Sequence, residues 1–565
     1  MNFRLRSCLF LVSLLLVLSC TEDSDNEPTS ISASNFETTI AENPENGQLI
    51  GSVAESNPDG NSFTLVSQQP EGAFALNTST GELTVLDPLF FDYEEIAEIT
   101  GTFTVSNGDN SETANITVNL LDKPDVFIGD VILSTQAEIV AFATNRYRHV
   151  TGKFIVGSDL NGDFNNSVSD LSPLNDIQTI GDNMIIRGNS VLSEIIGFNN
   201  LRTVNGGVGI TRNYSMTNVS GFNNLTTTNS FFSISYNDNL ISVNGFTELT
   251  EVGQHLFIGF NELLLNLASF DKLRSIGAYI TIVRNNSLQE INGFNALNSI
   301  TEFISIERND KLEYIDGFQS ISSITDLDIS QNFDLKSISG LSQLSNIDNL
   351  LFLVQNTELL NIDGFSNLNT VGYFEVSNNT VLPNIDAFSN INTIRGVDLS
   401  NNETLSNING LNGLTILLGS LIIDNNDSLL SLSGLENLTT VNYSINISNN
   451  ELLQNLNELG AINGELQFLD VVRNPSLTSI SGLLGITSVA RDLEIDDNDM
   501  LQALEGLNNI VLVSENLDVN GNSSLVDFCA LQTLFNGQGV GGDVEIRFNA
   551  YDPTEQDIVN GNCSL

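Results

Sequence analysis

An asparagine recurs along most of this chain at steps of 24 residues, with three steps of 23. Apolar residues lie five and three positions before each asparagine, and three, six, nine, twelve and fifteen positions after it, as between Val397 and Leu417. Such a repeat predicts a solenoid, because one unit cannot bury its apolar side alone and stacked units can. The ladder asparagines, as we call them below, are Asn189, Asn213, Asn237, Asn261, Asn285, Asn309, Asn332, Asn356, Asn379, Asn402, Asn426, Asn450, Asn474, Asn498 and Asn522.

The spacing within a repeat predicts the shape of one coil. Alternation just before the asparagine predicts a short strand with one buried face. The later spacing of three predicts tight corners and short extended arms, with no room for a ten-residue helix. We therefore expect a mainly β chain with a long parallel β-solenoid over residues 151–526, of about fifteen coils and on the order of 70 Å long at ~4.8 Å per coil. Asparagines at one corner predict a structural ladder of side-chain amides rather than a ligand site.

The start of the chain predicts export. Arg4 and Arg6 precede an apolar run from Leu9 to Leu18, which is too short for a membrane span and typical of a signal peptide over residues 1–19. The run ends in Leu16-Val17-Leu18-Ser19-Cys20, which resembles a bacterial lipobox. The resemblance implies that Cys20 carries acyl chains and is the attachment to the membrane. The alternative is an ordinary secretory signal that contains a cysteine.

Residues 20–30 are polar and acidic and are predicted to form a disordered tether. An acidic run behind the lipid cysteine resembles the surface-export signals of Bacteroidetes lipoproteins. The resemblance implies an outer-membrane lipoprotein exposed on the cell surface. The alternative is that the run is only a solvated tether. The chain has 19 basic and 70 acidic residues and a net charge of −51. Such a charge repels nucleic acid and anionic lipid, so we expect no nucleic-acid partner and membrane contact only through the lipid anchor.

Both open ends of a solenoid need covers. Residues 124–150 are predicted to form a linker and an N-terminal capping helix over 134–144, with Ser134 or Thr135 as its N-cap. Residues 527–565 are predicted to form the C-terminal cap. Cys529 and Cys563 lie in that cap, and two cysteines in an exported protein predict one disulfide, with free thiols as the alternative.

The repeats resemble a known family. The segments Ile276–Leu288 and Gly293–Leu297 resemble the receptor L domain of insulin- and EGF-type receptors, a pattern that recurs in bacterial surface proteins and is related to leucine-rich repeats. The resemblance covers about residues 128–565 and implies a right-handed β-helix whose flat faces bind proteins. This chain has many more coils and no cysteine-rich module, so the resemblance does not imply a particular ligand.

Residues 31–123 show strand-like alternation with turn signals about every ten residues, which predicts a β-sandwich. Segments at 40–44, 74–84, 92–94 and 105–109 resemble a cadherin repeat. The resemblance implies that Glu42 and Glu94 supply oxygens to calcium, and we include Asp92 and Asp122 as candidate ligands because calcium takes six to eight oxygens. The linker Leu120–Pro124 departs from the cadherin pattern and contains Lys123, and the alternative is a spacer without metal.

Catalytic patterns are scarce. The two histidines, His149 and His255, have neither the spacing of a metal pair nor that of a base beside a nucleophile, and no phosphate-binding loop or zinc-protease motif occurs. A β-helical polysaccharide lyase is the enzymatic alternative, and it requires clustered basic residues on one coil face. We predict that the chain is not an enzyme and needs no cofactor beyond the candidate calcium.

The residue before each ladder asparagine is predicted to point outward. Basic and aromatic residues occupy this position on five successive coils, Phe257 and Phe352 lie beside that column, and aromatic residues with arginine are typical of binding hot spots. This predicts a ligand face for an acidic or amphipathic partner; the alternative is a solvated stripe whose arginines neutralise nearby acids. The face comprises Arg212, Tyr236, Phe257, Phe260, Arg284 and Arg308, and its second half turns acidic at Asp398, Asp424, Asp470, Glu494, Asp496 and Asp518.

Anchor, spacer and solenoid together predict a lipid-anchored binding or adhesion protein that presents this face to a protein or another cell-surface ligand. The first alternative is a glycan-capture lipoprotein of an outer-membrane uptake system. The absence of tryptophan counts against it, because sugar platforms usually stack on tryptophan. The second alternative is a structural protein of the cell envelope.

Overall fold

A computed structural model describes residues 31–54, 60–157 and 167–565, and the chain divides into two compact units, Met1–Pro124 and Asp125–Leu565. The predicted signal peptide, Cys20 and the tether lie outside the described residues. The described part is mainly β, as predicted. None of its helices combines the length and the apolar character that crossing a membrane requires.

The first unit contains two sheets around one core, which confirms the predicted β-sandwich. One sheet has the order Phe36–Ala41, Ser111–Leu121, Glu98–Ser106, Ser62–Gln69, and the other has the order Leu49–Ser52, Glu82–Val85, Phe74–Leu76. The first two of these strands pair in parallel and the remaining pairs are antiparallel. The buried rings of Phe74, Phe91 and Phe103 fill the space between the sheets, and a 3-10 turn spans Pro88–Phe90.

The second unit is a parallel β-solenoid whose main sheet contains eighteen strands, each paired with the strand of the next coil. These strands are Val131–Leu133, Phe154–Gly157, Met184–Arg187, Val208–Thr211, Phe232–Ser235, Leu256–Gly259, Ile280–Val283, Phe303–Glu307, Ser323–Ser330, Asn346–Val354, Thr370–Ser377, Gly396–Ser400, Leu421–Asp424, Ser444–Ser448, Phe468–Val472, Leu493–Asp496, Leu517–Asn520 and Val544–Arg547. The sheet therefore extends beyond 151–526 and has more coils than the predicted fifteen. The added strands lie in the terminal segments, where the 24-residue period is lost.

Shorter strands pair along the other sides of the solenoid. One ladder comprises Val126–Phe127, His149–Val150, Thr179–Ile180, Thr203–Val204, Thr227–Thr228, Glu251–Val252, Ser275–Ile276 and Ser299–Ile300. The remaining ladders are Glu194–Ile195, Asn218–Val219, Ser242–Val243; Glu290–Ile291, Tyr314–Ile315, Ser337–Ile338; Thr393–Ile394, Ile416–Leu417, Thr440–Val441; and Gly464–Leu466, Ile486–Val489, Leu512–Val513, Gly539–Val540. Short 3-10 helices occupy Ser172–Asp176, Ala268–Phe270, Asp363–Phe365, Asp386–Phe388, Asn409–Leu411, Asn457–Ala461, Ser481–Leu483 and Cys529–Leu531.

The ladder asparagines form the predicted amide ladder, and all fifteen are fully buried. At Asn309 the side-chain amide donates to the carbonyl oxygen of Ile282 at 3.0 Å and to Oδ1 of Asn332 at 3.2 Å. Its own Oδ1 accepts the backbone N–H of Asn285 at 3.0 Å. Each amide thus joins three consecutive coils. We number the coils by these residues, from the first at Asn189 to the fifteenth at Asn522.

The ladder continues one step further than the sequence pattern. Oδ1 of Asn549 accepts both the backbone N–H and the side-chain amide of Asn522, and its own amide donates to the carbonyl of Val519. Asn549 lies 27 residues after Asn522, so the regular step missed it. The local segment Arg547-Phe548-Asn549 was the available signal, because an arginine or an aromatic residue also precedes several other ladder asparagines.

Glycine is required eight positions after most ladder asparagines by the close approach of consecutive coils. A Cβ on Gly221 would collide with the carbonyl oxygen of Gly197, and a Cβ on Gly364 would collide with that of Gly340. The backbones at this corner pack directly on one another, and a larger residue would force the coils apart.

Both ends of the solenoid are covered. The predicted N-terminal helix forms at Gln136–Ala143, where Thr135 is the N-cap and Glu138 completes a capping box, and its Phe142 ring packs on Phe154. The C-terminal segment contains the short helices Gln532–Asn536 and Glu555–Val559. The Cys529–Cys563 disulfide is present, which confirms that prediction.

Candidate functional site

We call the residue before each ladder asparagine the corner position. Its backbone has a left-handed conformation. Its φ is positive on all fifteen coils and also at Phe548 before Asn549. Glycine, asparagine and aspartate tolerate this conformation, and they occupy the corner at Gly188, at four coils from Asn378 to Asn449, and at Asp497 and Gly521. The outward direction of the corner side chains was predicted from the sequence. The left-handed backbone conformation was not predicted, although these residue types signalled it.

Large side chains occupy the same strained corner on coils two to six. Arg212, Tyr236, Phe260, Arg284 and Arg308 have φ between 53° and 58°. This conformation costs a residue with a large side chain about 1–2 kcal/mol. Backbone strain of this kind persists where the side chain has another role. The corner positions of coils two to six are therefore a candidate functional site.

Four of these side chains form one continuous stack. The rings of Tyr236 and Phe260 lie 4.4 Å apart with an interplanar angle of 7°. The guanidinium of Arg212 lies 5.8 Å from the centre of the Tyr236 ring, and that of Arg284 lies 5.4 Å from the centre of the Phe260 ring. Each ring therefore has a ring on one face and a cation on the other, and the ring edges and guanidinium groups face solvent.

The remaining predicted face residues lie beside this stack. Phe257 is on the strand that directly precedes Phe260 in the same coil, and it is half-buried, with its ring centre 6.4 Å from that of Phe260. Arg308 is exposed and donates through Nε to Oε1 of Gln331 at 2.7 Å. The structure therefore brings all six predicted residues onto adjacent coils of one surface.

A second aromatic column on the same coils was not predicted. Phe231, His255, Tyr279 and Phe303 occupy the position six residues before their ladder asparagines, and their ring centres are 5.9, 5.0 and 4.6 Å apart in sequence order. The pKa of His255 is lowered because burial in this stack disfavours the charged imidazole. The signal in the sequence was an aromatic residue at one repeat position on four consecutive coils.

The later coils present stacked acids on the same sheet. Asp470, Glu494 and Asp518 are directly paired neighbours on consecutive strands. Burial raises the pKa of Asp470 to about 6, with the charge of Asp492 adding to the effect. The pKa values of Glu494 and Asp518 are also raised, first by burial and then by neighbouring acids. No cation lies within ion-pair distance of these three carboxylates in the described part of the chain.

Three of the four candidate calcium ligands converge in the first unit. Carboxylate oxygens of Glu42, Glu94 and Asp122 lie within 4.8 Å of one another. Glu42 is 2% exposed and accepts the backbone N–H groups of Tyr93 at 3.0 Å and Lys123 at 2.7 Å. Asp92 is also buried but does not belong to the converging set.

This cluster fits a calcium ion in the chemistry of its donors. All three groups are hard carboxylate oxygens, and placing like charges together around a buried glutamate is unfavourable without a cation. Lys123 contributes its backbone N–H to Glu42. The three carboxylates offer at most about six oxygens, so further ligands are needed to complete the usual six to eight.

The histidines do not form a catalytic arrangement. His149 Nδ1 lies 2.7 Å from the Thr179 hydroxyl, which is its paired neighbour in the short-strand ladder. The other ring nitrogen is 3.8 Å from Asp125, which is too long for the hydrogen bond that orients a catalytic base. His255 lies between two aromatic rings.

Known structures similar to this chain match a small part of it. Extracellular cadherin domains 3–6 of protocadherin gamma B2 match with 26% identity over 16% of this chain and 21% of that chain, at a TM-score of 0.14. Mouse protocadherin-24 EC1-3 matches with 22% identity over 19% of this chain and 35% of that chain, at a TM-score of 0.14. Mouse cadherin-23 EC22-24 matches with 20% identity over 18% of this chain and 37% of that chain, at a TM-score of 0.12. The chain thus spans well under half of each matched structure. No protein-family model matches the chain, and no curated protein matches it significantly.

Proposed function

We propose that this chain is a lipid-anchored adhesion protein of the cell surface, whose solenoid binds an acidic protein partner through coils two to six. The observation that carries the proposal is the Arg212–Tyr236–Phe260–Arg284 stack, which holds large side chains in a strained corner. Aromatic and arginine side chains together are the usual composition of protein-binding hot spots. Cys20 would hold the protein at the outer membrane.

The geometry favours a protein over a sugar. A sugar platform needs an exposed ring face, whereas both faces of Tyr236 and Phe260 are covered by neighbours in the stack. His255 and Tyr279 are covered in the same way within the second column. The exposed arginines would contact carboxylates of the partner.

Replacing Arg212, Tyr236, Phe260 and Arg284 by asparagine is expected to abolish binding and preserve the fold. Asparagine occupies the same corner in coils nine to twelve, so relief of backbone strain should offset the lost stacking to within about 1 kcal/mol. The measurement is retention of labelled protein, lacking its first 20 residues, on cells that produce the native chain and on cells that lack its gene. We expect at least a tenfold loss of retention.

The matched control is Gln355→Asn, which changes the same corner on coil eight, outside the proposed face. This control should bind like the native chain. Equal retention of the fourfold variant and the native chain on both cell types would refute the proposed binding face.

We also propose that the carboxylates of Glu42, Glu94 and Asp122 hold a structural calcium ion. Saturating calcium is expected to raise the unfolding temperature of the first unit, since about a hundredfold excess over Kd stabilises a folded domain by about 2.7 kcal/mol. Calorimetry of the chain with calcium and with a chelator measures this shift. Glu94→Gln should remove the shift and Glu37→Gln, at an exposed acid, should not. An identical unfolding temperature with calcium and chelator would refute the site.

A further inference from the structure

The outward surface of the first coils differs in charge from the rest of the chain, and we call it the acid-free face. It contains four basic residues, Lys153, Arg187, Arg212 and Arg284, and none of its described residues is acidic, although the chain has 70 acidic and 19 basic residues. The next strand ends the face with Glu307. A local excess of cations favours an anionic partner. The face comprises the outward residues of six strands, the residue before each strand and the corner positions of coils one to five; the strands are Phe154–Gly157, Met184–Arg187, Val208–Thr211, Phe232–Ser235, Leu256–Gly259 and Ile280–Val283.

An apolar row runs along the middle of this face. Ile155 pairs with Ile185, and Ile185 pairs with Gly209, so these residues follow one another on consecutive coils. Gly209 leaves room for the ring of Phe231, which lies 3.6 Å from the place of a Cβ. Phe257 occupies the same row two coils further on. The isoleucines and both rings are partly exposed, so the row offers a continuous apolar strip to a partner.

The arginines lie along one side of the apolar row. The row is four residues before the ladder asparagines, whereas Arg187 is two residues before and Arg212 and Arg284 are one residue before. Arg212 and Arg284 are exposed, and no acid lies within ion-pair distance of them among the residues that the structure describes. These arginines therefore do not serve to neutralise neighbouring acids, and their guanidinium groups can bind carboxylates of a partner.

We propose that the acid-free face binds one amphipathic α-helix of a partner protein. The helix lies along the solenoid, with its apolar side on the row from Ile155 to Phe257 and acidic residues on the side of the arginines. This inference rests on the proposed function and names the kind of segment that the acidic partner presents.

The backbone of the face favours a helix over an extended segment. The strand Met184–Arg187 pairs with a neighbour on each side, and so do the strands that follow it, so the sheet uses its own backbone hydrogen bonds internally. An extended segment laid on these side chains would bury N–H and C=O groups without partners, at about 1–3 kcal/mol each. A helix satisfies its backbone groups internally and can be buried on such a surface.

The dimensions of the face match one helix. A strand of four residues is about 13 Å long, and a helix with its side chains is about 10–12 Å in diameter. Six strands span five steps of ~4.8 Å, or about 24 Å, which is the length of about 16 helical residues. The helical pitch of ~5.4 Å is close to the coil spacing, so each turn can place one apolar residue on the row and one acid beside it.

Selection from two displayed peptide libraries tests the helix, with the chain that lacks its first 20 residues as the target. Both libraries contain peptides of about 18 residues with the same composition of leucine, glutamate and alanine. Leucines follow the helical period in one library, with glutamates along one side, and leucine alternates with glutamate in the other. We expect binders from the helical library, with a Kd in fluorescence anisotropy at least tenfold lower than that of polyglutamate of equal length. A helical library without binders, or equal affinity of the alternating peptides or of polyglutamate, overturns the helix.

Two variants of the chain locate the bound peptide. Ile155→Ser with Ile185→Ser removes the apolar row, and Arg187→Gln with Arg212→Gln removes cations beside it. Each variant should weaken the selected peptide at least tenfold, and the arginine variant keeps the test valid if the isoleucine variant does not fold. Leu430→Ser is the matched control, because Leu430 is 51% exposed and lies four residues after a ladder asparagine, outside the face. A peptide that binds the folded variants as tightly as the native chain contradicts the proposed site.

Retention on cells separates this inference from the proposed function. The variant with Ile155→Ser and Ile185→Ser should lose retention at least tenfold, as the fourfold asparagine variant does, and the selected helical peptide should compete with the native chain. Native-like retention of the isoleucine variant, together with loss in the fourfold variant, would leave the proposed function standing without the helix. Native-like retention of both variants would overturn both.

Discussion

Phe270→Ala is expected to lower the free energy of unfolding of the solenoid by about 4 kcal/mol, the range found for deletion of a buried aromatic ring. The Phe270 ring is fully buried between Phe246 and Phe294, with ring centres 6.0 and 5.3 Å away and nearly parallel planes. It also meets the edge of Phe232 at 5.7 Å. Coils on both sides hold the backbone in place, so the cavity cannot collapse.

Urea unfolding followed by circular dichroism measures this loss. Phe333→Ala provides the control, because Phe333 is 44% exposed and its removal should change stability by less than about 1 kcal/mol. Unfolding midpoints that are equal for the two variants would contradict a continuous aromatic core. Since each coil contacts only its neighbours, the loss should appear as an earlier transition of part of the solenoid rather than a uniform shift.

Asn309→Ala is expected to destabilise the solenoid by about 3 kcal/mol, although it removes few apolar contacts. The substitution leaves the backbone N–H of Asn285 and the carbonyl of Ile282 without their side-chain partner, and both are buried beside the ladder. A buried polar group that loses its partner costs about 1–3 kcal/mol. The loss also interrupts a chain of amides that polarise one another.

Thermal unfolding monitored by circular dichroism checks this value. Asn437→Ala is the matched control, since Asn437 is exposed and its amide makes one bond, to the carbonyl of Asn412 at 2.9 Å. Asn309→Asp separates the contribution of the donated hydrogen bonds from that of the accepted ones. Aspartate keeps the side-chain shape and the acceptor oxygen of asparagine but lacks the N–H donor. It should be as destabilising as alanine. A native-like melting curve for Asn309→Asp would show that the donated bonds contribute little.

The repeat made most of the solenoid predictable. Val397, Leu399 and the apolar positions that follow Asn402 are buried as the spacing indicated, because a stacked coil has only one way to bury them. The terminal coils were not predictable to the same degree. Val131–Leu133 and Val544–Arg547 join the main sheet without the regular step, so their place depends on contacts that periodicity does not record.

The candidate site was predictable in composition and not in conformation. Arg212, Tyr236 and Phe260 stood out in the sequence because they share one repeat position. Their mutual stacking depends on the spacing of paired strands and on a positive φ, which for bulky residues runs against local preference. The place of His255 between two aromatic rings was not predicted, because those rings lie one repeat away on either side.

The shared left-handed corner has a consequence for how such a surface can change. The backbone has the same conformation at the corner position of every coil. A single substitution there therefore changes one residue of the outer surface and leaves the buried amide ladder intact. The penalty for any choice is bounded by the backbone preference of one residue, about 1–2 kcal/mol. New binding specificity can therefore arise one coil at a time, because the amide ladder and the buried core stabilise the solenoid independently of the corner side chains.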